Sequence, residues 1–215
     1  MRVLLMTAVS VEQEAVLRGL QGAENFDVQL AGVGPIQAAI NTTKVLESAK
    51  SPYDLVISAG IAGGFVGRAE VGSIVVSTEI IAADLGAETP EGFSSLDELG
   101  FGATRVPVNP DLAKKVMEAL QTAGLQAQSG PVLTLSTVTG TAETAAQLAA
   151  RIPGAAAEGM EGYGVALAAH ERGIPVLELR TISNPVGPRD RAAWKIKDAL
   201  VALESASRVL VEVLR

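Results

Sequence analysis

The sequence predicts an α/β fold in which a mostly parallel sheet is covered by helices. Three observations carry this expectation. Short apolar runs are continuous rather than alternating, as in strands buried on both faces. Amphipathic helical patterns lie between those runs, and strands alternating with helices give a helix-covered parallel sheet. Finally, 48% of the 215 residues are hydrophobic but only 3% are aromatic, so the core is filled by Val, Ile, Leu and Ala.

The expected strands are Val3 to Thr7, Asp27 to Ala31, Leu55 to Ala59, Ser73 to Ile81, Val132 to Thr137 and Val176 to Ile182. Between and after them the helical segments are Val11 to Leu20 with Ser10 as N-cap, Ile36 to Ala49 behind Pro35, and Asp111 to Ala123. Thr141 to Arg151, Glu161 to Arg172 and Arg189 to Leu214 complete the set. Gly86 to Thr104, rich in glycine and acidic residues, has no sustained period and reads as a lid, a subunit-contact loop or a plain surface loop. No linker divides the chain, so residues 1–215 are expected to form one domain.

Composition narrows the function. A net charge of −7 without a basic cluster disfavours nucleic acid as a partner. There is no cysteine and one histidine, which removes thiolate and multi-histidine metal sites, and His170 near a helix end is not expected to be catalytic. The apolar start Met1 to Met6 is too short for a signal peptide, and no run of roughly 20 apolar residues offers a membrane span. A soluble, cytoplasmic protein without membrane contact is the expectation.

Ligands of open α/β sheets bind beyond the carboxyl ends of the strands, so polar residues there are the candidates for chemistry. Gly32-Val33-Gly34-Pro35 opens a helix with amides able to face an anion or a sugar hydroxyl, or serves only as a turn. It is not a dinucleotide fingerprint, because position 37 is Gln37, and no Walker lysine follows; no cofactor is expected. Gly60-Ile61-Ala62-Gly63-Gly64 reads as a loop permitting close approach of a ligand or a neighbouring strand. Glu12 and Glu14 begin the first helix at the same edge, a position acids favour for the dipole alone. Glu161, set among small residues, needs hydrogen-bond donors: two vicinal sugar hydroxyls or its own helix amides. Arg180, Ser183 and Asn184 end the last strand before the irregular turn Pro185 to Pro188.

Five stretches in order, Ala8 to Glu12, Gly32-Val33-Gly34, Ala59 to Gly64, Met160-Glu161 and Arg180-Thr181-Ile182-Ser183-Asn184, resemble the nucleoside phosphorylase and nucleosidase superfamily. The chain is similar to methylthioadenosine/S-adenosylhomocysteine nucleosidases in layout. It looks closest to the futalosine hydrolases of menaquinone biosynthesis, through Ser136 to Thr141 and Ser183 to Arg191. The resemblance implies a three-layer αβα sandwich, a small nucleoside substrate and a homo-oligomer. It also implies Glu12 as the base that activates water, with Glu14 as the alternative, and Met160 and Glu161 against the ribose. Gly60, Ile61, Thr139, Gly140, Arg180 and Ser183 are implied around the substrate, and Asn184 at the purine.

Two departures stand out. Asn184 replaces the aspartate of the adenine-specific enzymes; an amide donates to N7 or a 6-oxo oxygen but does not titrate near neutral pH, which suits a 6-oxopurine such as hypoxanthine. Ile61 replaces a serine, removing one hydroxyl near the sugar. A substrate bearing a benzoate would need a cation, with Arg189 and Arg191 as candidates.

Overall fold

The computed structural model describes residues 1–215. Its strands are β1 (Val3–Thr7), β2 (Phe26–Leu30), β3 (Leu55–Gly64), β4 (Ile74–Ala82), β5 (Gly86–Thr89), β6 (Gly92–Ser95), β7 (Arg105–Pro107), β8 (Ala127–Thr134), β9 (Ala157–Gly159) and β10 (Val176–Pro185). The helices are α1 (Ser10–Leu20), α2 (Pro35–Ser48), α3 (Leu96–Leu99), α4 (Pro110–Thr122), α5 (Ala142–Arg151), α6 (Gly162–His170) and α7 (Ile196–Val213). This is the expected α/β architecture, with helices around a central sheet that is mixed rather than wholly parallel.

The pairing is parallel in β1–β2, β1–β3, β3–β10, β4–β8 and β8–β9, and antiparallel in β4–β10, β3–β9 and β4–β7. One edge of β3 meets β1 in its first half and β9 in its second, while its other edge carries β10. The pairings therefore close a circuit, β3–β10–β4–β8–β9–β3. All of β1 and β10 from Val176 to Asn184 is buried; β1 accordingly reads as a continuous apolar run, while β10 carries buried polar groups among its apolar ones.

Helices α1 and α7 pack together, as do α2 and α6, and α6 and α7 lie against the sheet. Glycine sets the closest of these approaches. A Cβ on Gly164 of α6 would lie 2.0 Å from the Pro35 carbonyl oxygen, and one on Gly19 of α1 would lie 2.2 Å from that of Glu204. No helix is long and apolar enough to cross a membrane.

Several expected boundaries move. Residues 86–104 are not an irregular loop: β5 and β6 form a hairpin, and Ser95 caps the single turn of α3 while Glu98 accepts from the Ser95 N–H. Local pairing and capping supply an order that hydrophobic periodicity does not report. The polar segment from Ala127 pairs with β4, so β8 begins and ends earlier than its apolar run. Pairing with Gly63 and Gly64 makes Ala157–Gly159 a strand, and β3 itself continues to Gly64 where a loop was expected. The last helix starts at Ile196 rather than Arg189, because the Lys195 N–H is tied to the Ser183 carbonyl (2.8 Å) and only a 3-10 turn, Arg191–Ala193, precedes it. Val9, not Ser10, is the N-cap of α1, and α6 begins one residue after Glu161.

The α2–α6 contact gives a direct stability test. In Gly164→Ala the added methyl meets backbone that no rotamer change relieves, so an overpacking cost of about 1–3 kcal/mol is expected in urea unfolding. A variant as stable as the parent would show that the two helices stand further apart.

Candidate active site

Beyond the carboxyl ends of β1, β3 and β10 lies a cavity of about 220 Å³, closed on its other sides by β9 and the segment after β8. It brings together Glu12, Ile61, Thr139, Met160, Glu161, Ser183 and Asn184 of the residues singled out from sequence. Gly60, Gly140 and Arg180 do not line it. Gly140 is exposed, and its carbonyl accepts from the Arg189 N–H.

Glu12 sits in the first turn of α1, where its Oε2 accepts from the Ala8 and Val9 N–H groups at 2.9 and 3.3 Å. Its Oε1 accepts from the Ile61 N–H at 2.9 Å. The Ile61 contact is made by backbone, so loss of the serine hydroxyl at this position leaves it intact. Gly60 stands behind the carboxylate: a Cβ there would lie 2.6 Å from Glu12 Oε1 and 2.8 Å from Arg180 Nη1. Its lack of a side chain thus makes room for the acid rather than for a ligand. Burial raises the Glu12 pKa above its ordinary 4.5, against the opposing pull of the Ile61 amide and of Arg180. Glu14, two residues further along and about 200° round the helix, is exposed.

The charge that balances this acid is buried beneath the cavity. Arg180 is 1% exposed and donates from Nε to Glu178 Oε1 (2.7 Å) and from Nη2 to Ser58 Oγ (3.1 Å). Its Nη2 also lies 3.7 Å from Glu161 Oε2. Burial disfavours the guanidinium charge, but Glu178, Glu161 and Glu12 together outweigh it and hold Arg180 ionised. For Glu178, fully buried, burial wins over Arg180 and pushes the carboxyl pKa up. Arg180 is therefore a positioning residue that organises three carboxylates.

Sequence reasoning missed Glu178, although a signal was present: Glu178 and Arg180 are two apart in a strand and so share one face. Gly162 is the matching accommodation, since a Cβ there would lie 2.1 Å from Glu178 Oε2.

Glu161 resolves the role of the glycine turn. Its Oε1 accepts from the Gly34 N–H (3.2 Å) and its Oε2 from the Met160 N–H (3.3 Å). The anion that this turn faces is thus the protein's own carboxylate, presented with Gly34 at φ +88°. Met160 is half-buried beside it in the cavity wall.

At the opposite end, Asn184 Oδ1 accepts from the Ser183 hydroxyl (2.8 Å) and its Nδ2 donates to the Pro185 carbonyl (2.9 Å). One N–H of that amide stays free to donate elsewhere. Among the other lining residues, Glu158 and Trp194 carry chemistry that sequence reasoning did not select. Glu158, 6% exposed, accepts from both the N–H (2.8 Å) and the hydroxyl of Thr139. Burial raises its pKa, opposed by both Thr139 donors. Trp194, the single tryptophan, is half-buried at the cavity, with the Arg189 and Arg191 guanidinium carbons 5.7 and 6.0 Å from its ring centroid. A lone tryptophan in a polar, irregular segment was the available signal.

Comparison with known proteins gives the chain's family and fold. Residues 11–215 match the model of the Phosphorylase superfamily. The chain is 51% identical to a futalosine hydrolase of Streptomyces coelicolor, covering 100% of this chain and 97% of the relative. It is 44% identical to one from Acidothermus cellulolyticus, over 96% and 89% of the two chains. Among solved structures, the 5'-methylthioadenosine/S-adenosylhomocysteine nucleosidase of Neisseria meningitidis superposes with a TM-score of 0.81 at 18% identity. That match covers 99% of this chain and 98% of that one, and it establishes a shared fold.

The buried cluster makes its own prediction. Arg180→Met leaves Glu178 and Glu161 without their cation, so a loss of about 3–5 kcal/mol is expected in urea unfolding at pH 7.5. Because protonation relieves uncompensated buried carboxylates, the deficit should shrink as pH falls to about 5.5. A deficit that is small, or that grows on acidification, would contradict this account of the charges.

Proposed function

The chain belongs to the phosphorylase superfamily, and on that premise we propose that it is a futalosine hydrolase, cleaving the N-ribosidic bond of a 6-oxopurine nucleoside with water. The observation that carries this reading is the convergence of Glu12, Met160-Glu161 and Asn184 on one cavity. The high identity to futalosine hydrolases over the full chain supports the choice of substrate.

In this mechanism the bond to the base stretches until the ribose is oxocarbenium-like, and charge separation is the barrier. Glu161, held by two amides and Arg180, receives the ribose hydroxyls, with Met160 packed against the sugar. Glu12 accepts a proton from the attacking water, a contribution of about 10² to 10⁴-fold. Asn184, oriented by Ser183, directs its free N–H at the departing base and stabilises the charge that develops there. Trp194 with Arg189 and Arg191 at the cavity mouth suits a substrate whose ribose carries a carboxylate-bearing aromatic group. We also propose that a second copy of the chain covers Val33, Ile36 and Ile40, which are 57%, 77% and 45% exposed beside the Gly34 turn. Sedimentation equilibrium reading a monomer at micromolar concentration would remove that element.

A phosphorylase reading requires cations around a phosphate dianion. Arg180 is tied to Glu178 and Ser58 beneath the cavity and does not line it, which favours water as the nucleophile. Release of hypoxanthine from futalosine in phosphate-free buffer is the deciding measurement; a strict requirement for phosphate would overturn the hydrolase reading. Two substitutions separate the roles. Glu12→Gln should lower kcat by about 10² to 10⁴-fold with KM little changed. It should also abolish the acid limb of kcat/KM. That limb arises because Glu12 must be ionised, so activity falls as pH drops through a pKa above 4.5. Asn184→Asp should move preference toward 6-aminopurine nucleosides, scored by base release from paired inosine and adenosine substrates.

A further inference from the structure

We propose that Glu158 is a second base-reading residue, set opposite Asn184 across Gly63 so that the two grip the six-membered edge of a 6-oxopurine. The inference rests on the nucleosidase reading above and adds a specificity determinant to it. In sheet register Gly63 of β3 pairs with Asn184 of β10 on one edge and with Glu158 of β9 on the other. A β-bulge at Ser183 precedes the Asn184 pairing, and the Asn184 amide nitrogen lies 3.4 Å from where a Gly63 Cβ would project, so Glu158 and Asn184 rise from the same face with a glycine between them. Two strand spacings separate their backbones by about 9 to 10 Å. Gly63 contributes no side chain to that interval; Val186 packs over it, its Cγ2 3.0 Å from where a Cβ would lie, and all four residues line the cavity. The result is a pocket with a carboxylate on one wall and an amide on another, floored between them by Val186.

The chemistry of the walls matches one class of base. A 6-oxopurine presents a hydrogen-bond donor at N1 next to its oxo acceptor, whereas a 6-aminopurine presents an acceptor at N1 next to a donor. Asn184 supplies the donor for the oxo side and Glu158 the acceptor for N1–H. Thr139 fixes Glu158 in the acceptor role, because its N–H and hydroxyl each point at a different carboxylate oxygen. Each oxygen retains capacity for a further hydrogen bond. Glu158 takes no part in the proton transfer assigned to Glu12, so its contribution is to selection.

The test is direct binding of hypoxanthine, 1-methylhypoxanthine and adenine by titration calorimetry, using the full chain and its Glu158→Gln variant. The parent should bind hypoxanthine at least about tenfold more tightly than either other base, the scale of one hydrogen bond to a charged group. Glu158→Gln, whose amide can donate to an unprotonated N1, should lose most of the margin over adenine. A variant that keeps the full margin, or a parent that binds 1-methylhypoxanthine as tightly as hypoxanthine, would overturn the inference and leave Glu158 only a support for Thr139. If the variant does not fold, the parent measurements still decide between these outcomes. Futalosine turnover by the parent, measured separately, reads the nucleosidase assignment itself, so failure of either claim is recognised independently.

Discussion

The buried guanidinium of Arg180 is the constraint on which the rest of the site depends. A cation with 1% exposure is stable in this interior only because Glu178, Glu161 and Glu12 surround it. In return its charge opposes the burial that raises the Glu12 pKa, so that this acid sits beside Glu161 at the cavity. The surrounding backbone is shaped to this cluster. Gly60 clears space for Glu12 and Arg180, Gly159 lies against the guanidinium, whose carbon is 3.2 Å from where a Cβ would project, and Gly162 yields to Glu178. Three glycines from three elements thus report one buried charge network.

This explains which parts of the molecule were legible in the sequence. Apolar runs located β1 and the first half of β3 because both faces of those strands are covered, and the helical periods located α1, α2, α4 and α5. Short or polar strands escaped: Ala157–Gly159 is three residues long, and the first half of β8 is held by pairing with β4 rather than by its own hydrophobicity. The hairpin after β4 escaped for the same reason, since its order comes from local hydrogen bonds. Ends of elements were governed by tertiary ties such as Lys195 to Ser183, which no window of sequence contains.

The candidate site was legible to a similar depth. Glu12, Glu161 and Asn184 stood out by their placement at strand and helix ends, the family resemblance singled out Glu12 as the base and added Met160, and the cavity gathers all four. Glycines were harder to interpret, because a missing side chain serves a ligand and a protein neighbour equally well. Gly60 makes way for Glu12 and Arg180, and Gly63 for Val186 and the Asn184 amide, neighbours visible only once the strands are paired. Glu158 and Glu178 were passed over because each lies in a segment that otherwise reads as apolar. A charge in such a segment is costly unless it is partnered, and both are partnered here, by Thr139 and Arg180.

The closed circuit of strand pairings bears on how the molecule comes into being. Its closure joins β3, made early in synthesis, to β9 and β10, made late, so these contacts are far apart along the chain and slow to form. Asn184 and Glu158 meet Gly63 only at that closure. A nascent chain that has already buried β1 and β2 therefore still lacks a working pocket, and the capacity to recognise a base arrives with the final turn of the ring.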